Sequence, residues 1–193
     1  ESLARHGARP LDRLVRLGFA SPLLVAVHGT CLSPADIDAL AACGAAVVHC
    51  PESNLKLGIG VCPAPALLGR GVRVALGTDG AASNNDLDVF SEMRTAGLLA
   101  AGVSARPGAL VARDLLRMAT LDGATALGLG NEIGSITLGK AADLVAVNLK
   151  GLNTKPCYDP VSHLVHVADR ECVTHVWIAG KCCVDHKRVV GNG

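Results

Sequence analysis

The sequence predicts an α/β fold: a parallel sheet covered by helices on both faces, followed by a smaller β-rich segment. Three short runs carry the first part of that expectation. "LLVAV" (Leu23 to Val27), "AAVVHC" and "VRVAL" (Val72 to Leu76) are almost wholly apolar and rich in β-branched residues. Strands buried on both faces read as such unbroken runs, and helical texture between them argues for parallel pairing. The second part rests on a change of texture at Ile133, beyond which the chain becomes glycine-punctuated and strand-like.

The elements follow in order. After "LLVAV" comes "SPADIDALAAC", with Ser33 as N-cap, Pro34 at the first helical position and Asp36 in the first turn. The second strand closes on His49, and "PESNLKLGIG" reads as a loop leading to a short helix around "APALLGR". "VRVAL" is followed by a helix through "DLDVFSEMRTAGLLAA", with Asn85 or Asp86 as the expected N-cap. Leu110 to Met118 and Ala124 to Leu129 read as further helices. Beyond them, "GSITLGKAADLVAVNL" is strand-like and "DPVSHLVHVA" is a helix opened by Asp159 and Pro160. "CVTHVWIAGKCCV" forms a hairpin around Gly180-Lys181. The expected division is 1–130 for the parallel part and 131–193 for a segment that completes a β-rich domain.

Bulk properties narrow the function. With 193 residues, half of them hydrophobic, the chain can bury a core. A net charge of +1 gives no electrostatic case for nucleic acid or a charged membrane surface, and 2% aromatic residues leave few platforms for stacking bases. No apolar run is long enough to span a bilayer. The eight cysteines contain no C-x-x-C and several lie in apolar runs, which fits free thiols in a reducing, cytoplasmic setting. The chain opens at Glu1 in helical texture without a methionine, so it reads as a fragment.

Three titratable residues share one placement. His28, His49 and Asp79 each stand at, or just past, the C-terminal end of an expected parallel strand, the edge where ligands and catalytic groups gather in such sheets. Asp79 is the third residue of "GTDGAASNND", whose small residues let backbone approach a ligand, although the same run also serves as a strand-to-helix turn. For His49, "HCPESN" is equally a well-bonded turn. His163 and His166 are better read as a partly buried helix face than as metal ligands, and Cys182-Cys183 as core packing. Gly58 and Gly60 do not open a helix after a strand, so they form no phosphate loop.

These residues resemble the amidohydrolase superfamily, and within it the 5-methylthioadenosine/S-adenosylhomocysteine deaminases and related triazine and chlorohydrolase-type enzymes. The likeness runs through "VHGTCLSPADIDAL", "VVHCPESNLKLGIGVCPAPALL" and "VALGTDGAASNNDLDVFSEMRTA". It continues in "GSITLGKAADLVAV" and "VTHVWIAGK", similar to strands of the small β-sandwich domain beside the barrel.

The resemblance implies the C-terminal part of a (β/α)8 TIM-type barrel, about its last three strands. It implies that Asp79 is a ligand of Zn2+, or of another divalent metal such as Fe2+, and accepts a proton from the attacking water. His28 would polarise that water or the leaving group. Ser83 would lie beside the substrate, and His49 and Asn54 would shape its pocket. The implied substrate is a purine nucleoside or another heteroaromatic ring, in a parent that is a homo-oligomer. The superfamily's first-strand H-x-H pair and fifth-strand H-x-x-E segment are absent, so the implied enzyme is the parent and the chain alone is expected to be inactive. Two alternatives stay open: a triazine or guanine hydrolase of the same superfamily, and a non-catalytic remnant or assembly partner.

Overall fold

The structure is a computed structural model that describes residues 2–191. Helices α1 (Ser2–His6) and α2 (Pro10–Arg16) precede an alternating series: β1 (Val25–Val27), α3 (Pro34–Cys43), β2 (Ala46–His49), α4 (Pro51–Lys56), α5 (Ala64–Gly69) and β3 (Arg73–Leu76). Three helices follow, α6 (Val89–Ser104), α7 (Ala112–Met118) and α8 (Leu121–Ala126). The remainder comprises β4 (Leu144–Val147), α9 (Pro160–His166), β5 (Val173–Ile178), β6 (Lys181–Asp185) and β7 (Arg188–Val189).

Strands β1, β2 and β3 pair in that order, all parallel, with Val25 opposite Ala46 and Val48 opposite Ala75. Parallel neighbours need a crossover between them, and the intervening helices supply it. Helix α3 shows why the local sequence folds this way. The Ser33 hydroxyl accepts from the Asp36 N–H, the Asp36 carboxylate accepts from the Ser33 N–H, and Pro34 presets the first turn. Gly44 ends the helix in the left-handed region at φ 71°.

The core lies between the parallel sheet and its helices. Val47 and Val74 from the sheet meet Leu40 of α3, Leu67 of α5, Leu115 and Met118 of α7 and Val165 of α9, all fully buried. Helix α9 thus packs on the α/β side, against α6 and α7, although it lies late in the chain. Strands β4 to β7 form a separate antiparallel sheet in sequence order.

Several boundaries differ from expectation for identifiable reasons. "PESNLK" is a helix, not a loop, because Pro51 sits at its first turn and fixes φ there. The long helix starts at Val89 with Asp88 as N-cap, not Asn85 or Asp86. Asn84 Oδ1 accepts from the Asp86 and Leu87 N–H groups, which holds that segment in a turn. Of "GSITLGKAADLVAVNL" only Leu144–Val147 is a strand; Gly134 and Gly139 take positive φ, which breaks extension before it. The hairpin after β5 turns at Ala179-Gly180, one residue earlier than expected. Asp159 caps α9 as expected, by accepting from the Val161 N–H.

Candidate active site

The site forms where β1, β2 and β3 end. His28 and Asp79 lie just past β1 and β3, and both adopt the left-handed backbone, at φ 70° and 62°. Side chains other than glycine rarely hold that conformation, and where they do it clusters at functional sites. The His28 N–H is fixed to the Val48 carbonyl at 2.9 Å, and the Gly77 N–H to the His49 carbonyl at 3.0 Å. Gly77 is needed there, since a Cβ would lie 2.8 Å from Val48 Cγ1.

Helix α4 then brings two consecutive polar side chains to the two strand ends. Ser53 Oγ donates to Asp79 Oδ2 at 2.6 Å, while Asn54 Oδ1 accepts from His28 Nδ1 at 2.8 Å. Both residues are buried. With Nδ1 so engaged, His28 presents Nε2 toward Asp79, 4.0 Å from Oδ2. Ser83 Oγ adds a second donor to Oδ2 at 2.8 Å. The hydrogen bonds from Ser53 and Ser83, with the Gly80 N–H, hold the Asp79 carboxyl down at about 2. Such a carboxylate is anionic throughout the physiological range and needs no deprotonation to meet a cation.

The structure therefore brings His28, Asn54, Asp79 and Ser83 together. His49 is buried beside them in sequence but joins no hydrogen bond of this group; its Nδ1 has no partner among the described residues. Burial pushes its pKa down to about 4, so the ring is neutral. Of the other histidines considered, His163 contacts the Asp159 carbonyl of its own helix.

Sequence reading missed Ser53 and the polar base beneath α4. Buried Glu92 of α6 accepts from the Asn84 amide and, at 3.2 Å, from the Glu52 N–H. Glu52 in turn accepts from Thr95 Oγ1 at 2.8 Å. Lys56 Nζ donates to the Ala82 carbonyl and to Asn85 Oδ1 at 2.9 and 2.6 Å, which ties the far end of α4 to the Asp79 loop. Both serine donors to Asp79 are thus held by a braced helix and a braced loop.

Burial, with Glu52 and Asp86 nearby, raises the Glu92 carboxyl to about 7 from an ordinary 4.5. The folded state then favours its protonated form. That contribution to stability is complete below the unfolded value and is lost as pH rises through about 7. Between about pH 6 and about pH 8 the loss is roughly 1 kcal/mol. The urea midpoint of the protein should fall over this interval, and Glu92→Gln should flatten the fall even if its baseline is lower. An equally steep fall in that variant would assign the titration to another group.

Comparison with known proteins places this geometry in context. The model of the amidohydrolase family matches residues 1–183. A 5-methylthioadenosine/S-adenosylhomocysteine deaminase from Saccharophagus degradans is 47% identical over 189 residues, covering 98% of this chain and 42% of its relative. The crystal structure of an adenosine deaminase from Xanthomonas campestris with bound zinc superposes with a TM-score of 0.97 at 53% identity, over all of this chain and 44% of that one. An atrazine chlorohydrolase from Arthrobacter aurescens TC1, complexed with zinc, gives 0.91 at 30% identity, over 100% and 43%. The chain therefore spans less than half the length of the relatives it matches. Its three parallel strands are an arc of a (β/α)8 barrel, and its antiparallel strands form a second sheet. The chain belongs to the amidohydrolase family.

Proposed function

We propose that this chain supplies the C-terminal part of the active site of a hydrolytic deaminase acting on adenine-type nucleosides, methylthioadenosine and S-adenosylhomocysteine among them. One observation carries the reading: an anionic Asp79, fixed by two serine hydroxyls at a strand end, faces the open Nε2 of His28 at 4.0 Å. The names of the relatives supply the substrate class.

In the reaction water adds to the ring carbon that bears the amino group, the C–N bond breaks, ammonia leaves and a keto product remains. The anionic Asp79 would hold a divalent metal, zinc in the relatives with bound ions. When bound, the metal supplies the acidity that brings water's pKa from about 16 toward about 7. Asp79 would accept the water's proton once the bound ion has acidified it. His28 Nε2 accepts a hydrogen bond from the same water and orients it, with Asn54 fixing the ring. Ser83 steadies Asp79 at the substrate's edge, and the neutral His49 shapes the apolar wall.

The same reading divides the chain into a barrel portion, 1–130, and a β-domain portion, 131–193, from which α9 returns to pack on the barrel side. It places the protein in a reducing compartment, consistent with eight free cysteines. Among the described residues no helix is long and apolar enough to cross a membrane.

The test is turnover by the complete protein encoded with this chain, read as ammonia release from methylthioadenosine, S-adenosylhomocysteine, adenosine and guanine and as chloride release from a chloro-s-triazine. Turnover of the adenine nucleosides is expected to dominate. Turnover confined to guanine or the triazine would move the protein to the alternative hydrolases, and none at all would favour a remnant or assembly partner. In the same protein His28→Ala should lower kcat by about 10² to 10⁴-fold, the usual contribution of a positioned acid or base, with metal content maintained. Stoichiometric metal loss would instead make His28 a required ligand.

A further inference from the structure

We propose that His175, Asp185 and His186 form a second metal site, on the hairpin of the small β domain, for a divalent first-row ion that prefers imidazole. One nitrogen from each ring and a carboxylate oxygen lie within 4.8 Å of one another. His175 Nε2 is 3.1 Å and His186 Nδ1 is 2.7 Å from the same oxygen, Asp185 Oδ1. A metal bonding N and O at 2.0–2.2 Å in tetrahedral geometry keeps its ligand atoms about 3.3 Å apart, so small rotations of these side chains admit it.

The hydrogen bonds around His175 orient its ring. Thr174 Oγ1 donates its single proton to the Ala146 carbonyl at 3.2 Å and therefore accepts from His175 Nδ1–H at 2.9 Å. With Nδ1 so engaged, Nε2 is the ring atom directed at the carboxylate oxygen, joined to it through a proton or, with a metal bound, through the ion. Donation of the second ring N–H to a fixed oxygen is also the usual way a ligating histidine is oriented.

The backbone is built to hold this arrangement. The register shift in β5 between Val176 and Trp177 sets His175 beside Asp185 across the strand pair. Asp185 pairs with Arg188 around a two-residue turn, and both turn residues, His186 and Lys187, have positive φ, at 45° and 66°. Hairpin turns of this kind ordinarily take Asn-Gly, so His-Lys is a strained choice that swings the His186 ring back over the sheet. The Lys187 N–H is tied to the Thr174 carbonyl at 2.9 Å, next to His175. Trp177 stacks on the His175 ring, with centroids 5.4 Å apart and planes 8° from parallel. His186 meets that ring edge-on at 4.6 Å.

Two nitrogens and one carboxylate favour zinc, cobalt or nickel over magnesium or calcium, which take oxygen ligands. His175 is 25% exposed, Asp185 55% and His186 83%, so an ion can reach the site from solvent.

Trp177 is the reporter, because a paramagnetic Co2+ on His175 quenches its fluorescence. The complete protein is stripped of metal, dialysed against limiting Co2+ in reductant, and compared with Trp177→Phe to isolate the Trp177 signal. Quenching with one equivalent of Co2+ beyond that bound at Asp79 is expected. His186→Ala and Asp185→Asn should each remove that equivalent and the quenching, whereas Asp79→Asn should leave the quenching in place. Both exposed variants should retain the parent circular dichroism. Absent quenching in the parent, or quenching and stoichiometry unchanged in both hairpin variants, overturns the site.

Discussion

Asp79→Asn in the complete protein should reduce deaminase turnover by about 10³-fold or more while the fold persists. The expectation follows from two properties that the amide cannot reproduce. The carboxylate is anionic, and Ser53 and Ser83 donating to Oδ2 keep it so to low pH, whereas a neutral amide loses the charge that a divalent cation requires. It also loses the capacity to take a proton from water. The amide nearly matches the carboxylate in volume, and its oxygen still accepts from one or both serines, so packing around the loop is preserved. Metal analysis and melting temperature accompany the rate measurement. A variant within about tenfold of the parent, with unchanged metal content, would remove Asp79 from the chemistry.

A complementary expectation concerns the serines themselves. Ser53→Ala leaves Asp79 with Ser83 and Gly80 as its remaining donors, so the carboxyl rises from about 2 toward its ordinary 3.8. Because the native value is the lowered one, the hydrogen bond's contribution to stability is present above the unfolded value and disappears as pH falls through the folded one. Ser53→Ala should therefore lower stability at neutral pH and make its fall toward acid less steep, the variant and the parent converging at low pH. An acid limb identical to that of the parent would mean that Ser53 does not hold the carboxylate.

How much of this was legible beforehand depended on the range over which each signal acts. His28 and Asp79 could be found because an apolar run announces a buried strand, and a titratable residue at its end stands out against it. Asn54 could be named only through family likeness, and the structure gives it a specific partner in His28 Nδ1. Ser53 escaped because α4 has only six residues, too few for a helical period to emerge from sequence, and its neighbour Pro51 reads equally as loop. Glu92 and Asn84 meet across the turn before α6, a contact fixed by the displaced N-cap at Asp88 rather than by any motif. The hairpin cluster was beyond reach for a similar reason. His175 and Asp185 are ten positions apart, and only the shifted register of β5 against β6 brings them side by side.

The 193-residue chain by itself should release no ammonia and should associate rather than persist as a monomer. Strands β1 and β3 lie at the two edges of the three-stranded sheet, each with backbone donors and acceptors facing outward. A closed barrel has no such edges, and open apolar ones invite pairing with other chains. Their side chains reinforce the effect: Val27 of β1 is 51% exposed and Leu23 just before it 90%. Ala26, Leu14, Leu40 and Ile59 border an apolar cleft along the same side. In the relatives, which are more than twice as long, further chain is available to cover such surfaces. Chemistry fails for a related reason. The chain brings one proposed ligand, the Asp79 carboxylate, to the strand ends, whereas catalytic zinc takes three protein ligands and a water. Any ion the chain retains should therefore be that of the His175 hairpin, and should survive Asp79→Asn. Size-exclusion chromatography, metal analysis and an ammonia assay on methylthioadenosine check all three points together. A monomeric chain that releases ammonia, and that loses its metal when Asp79 is replaced, would show that these strands build a working site without the rest of a barrel.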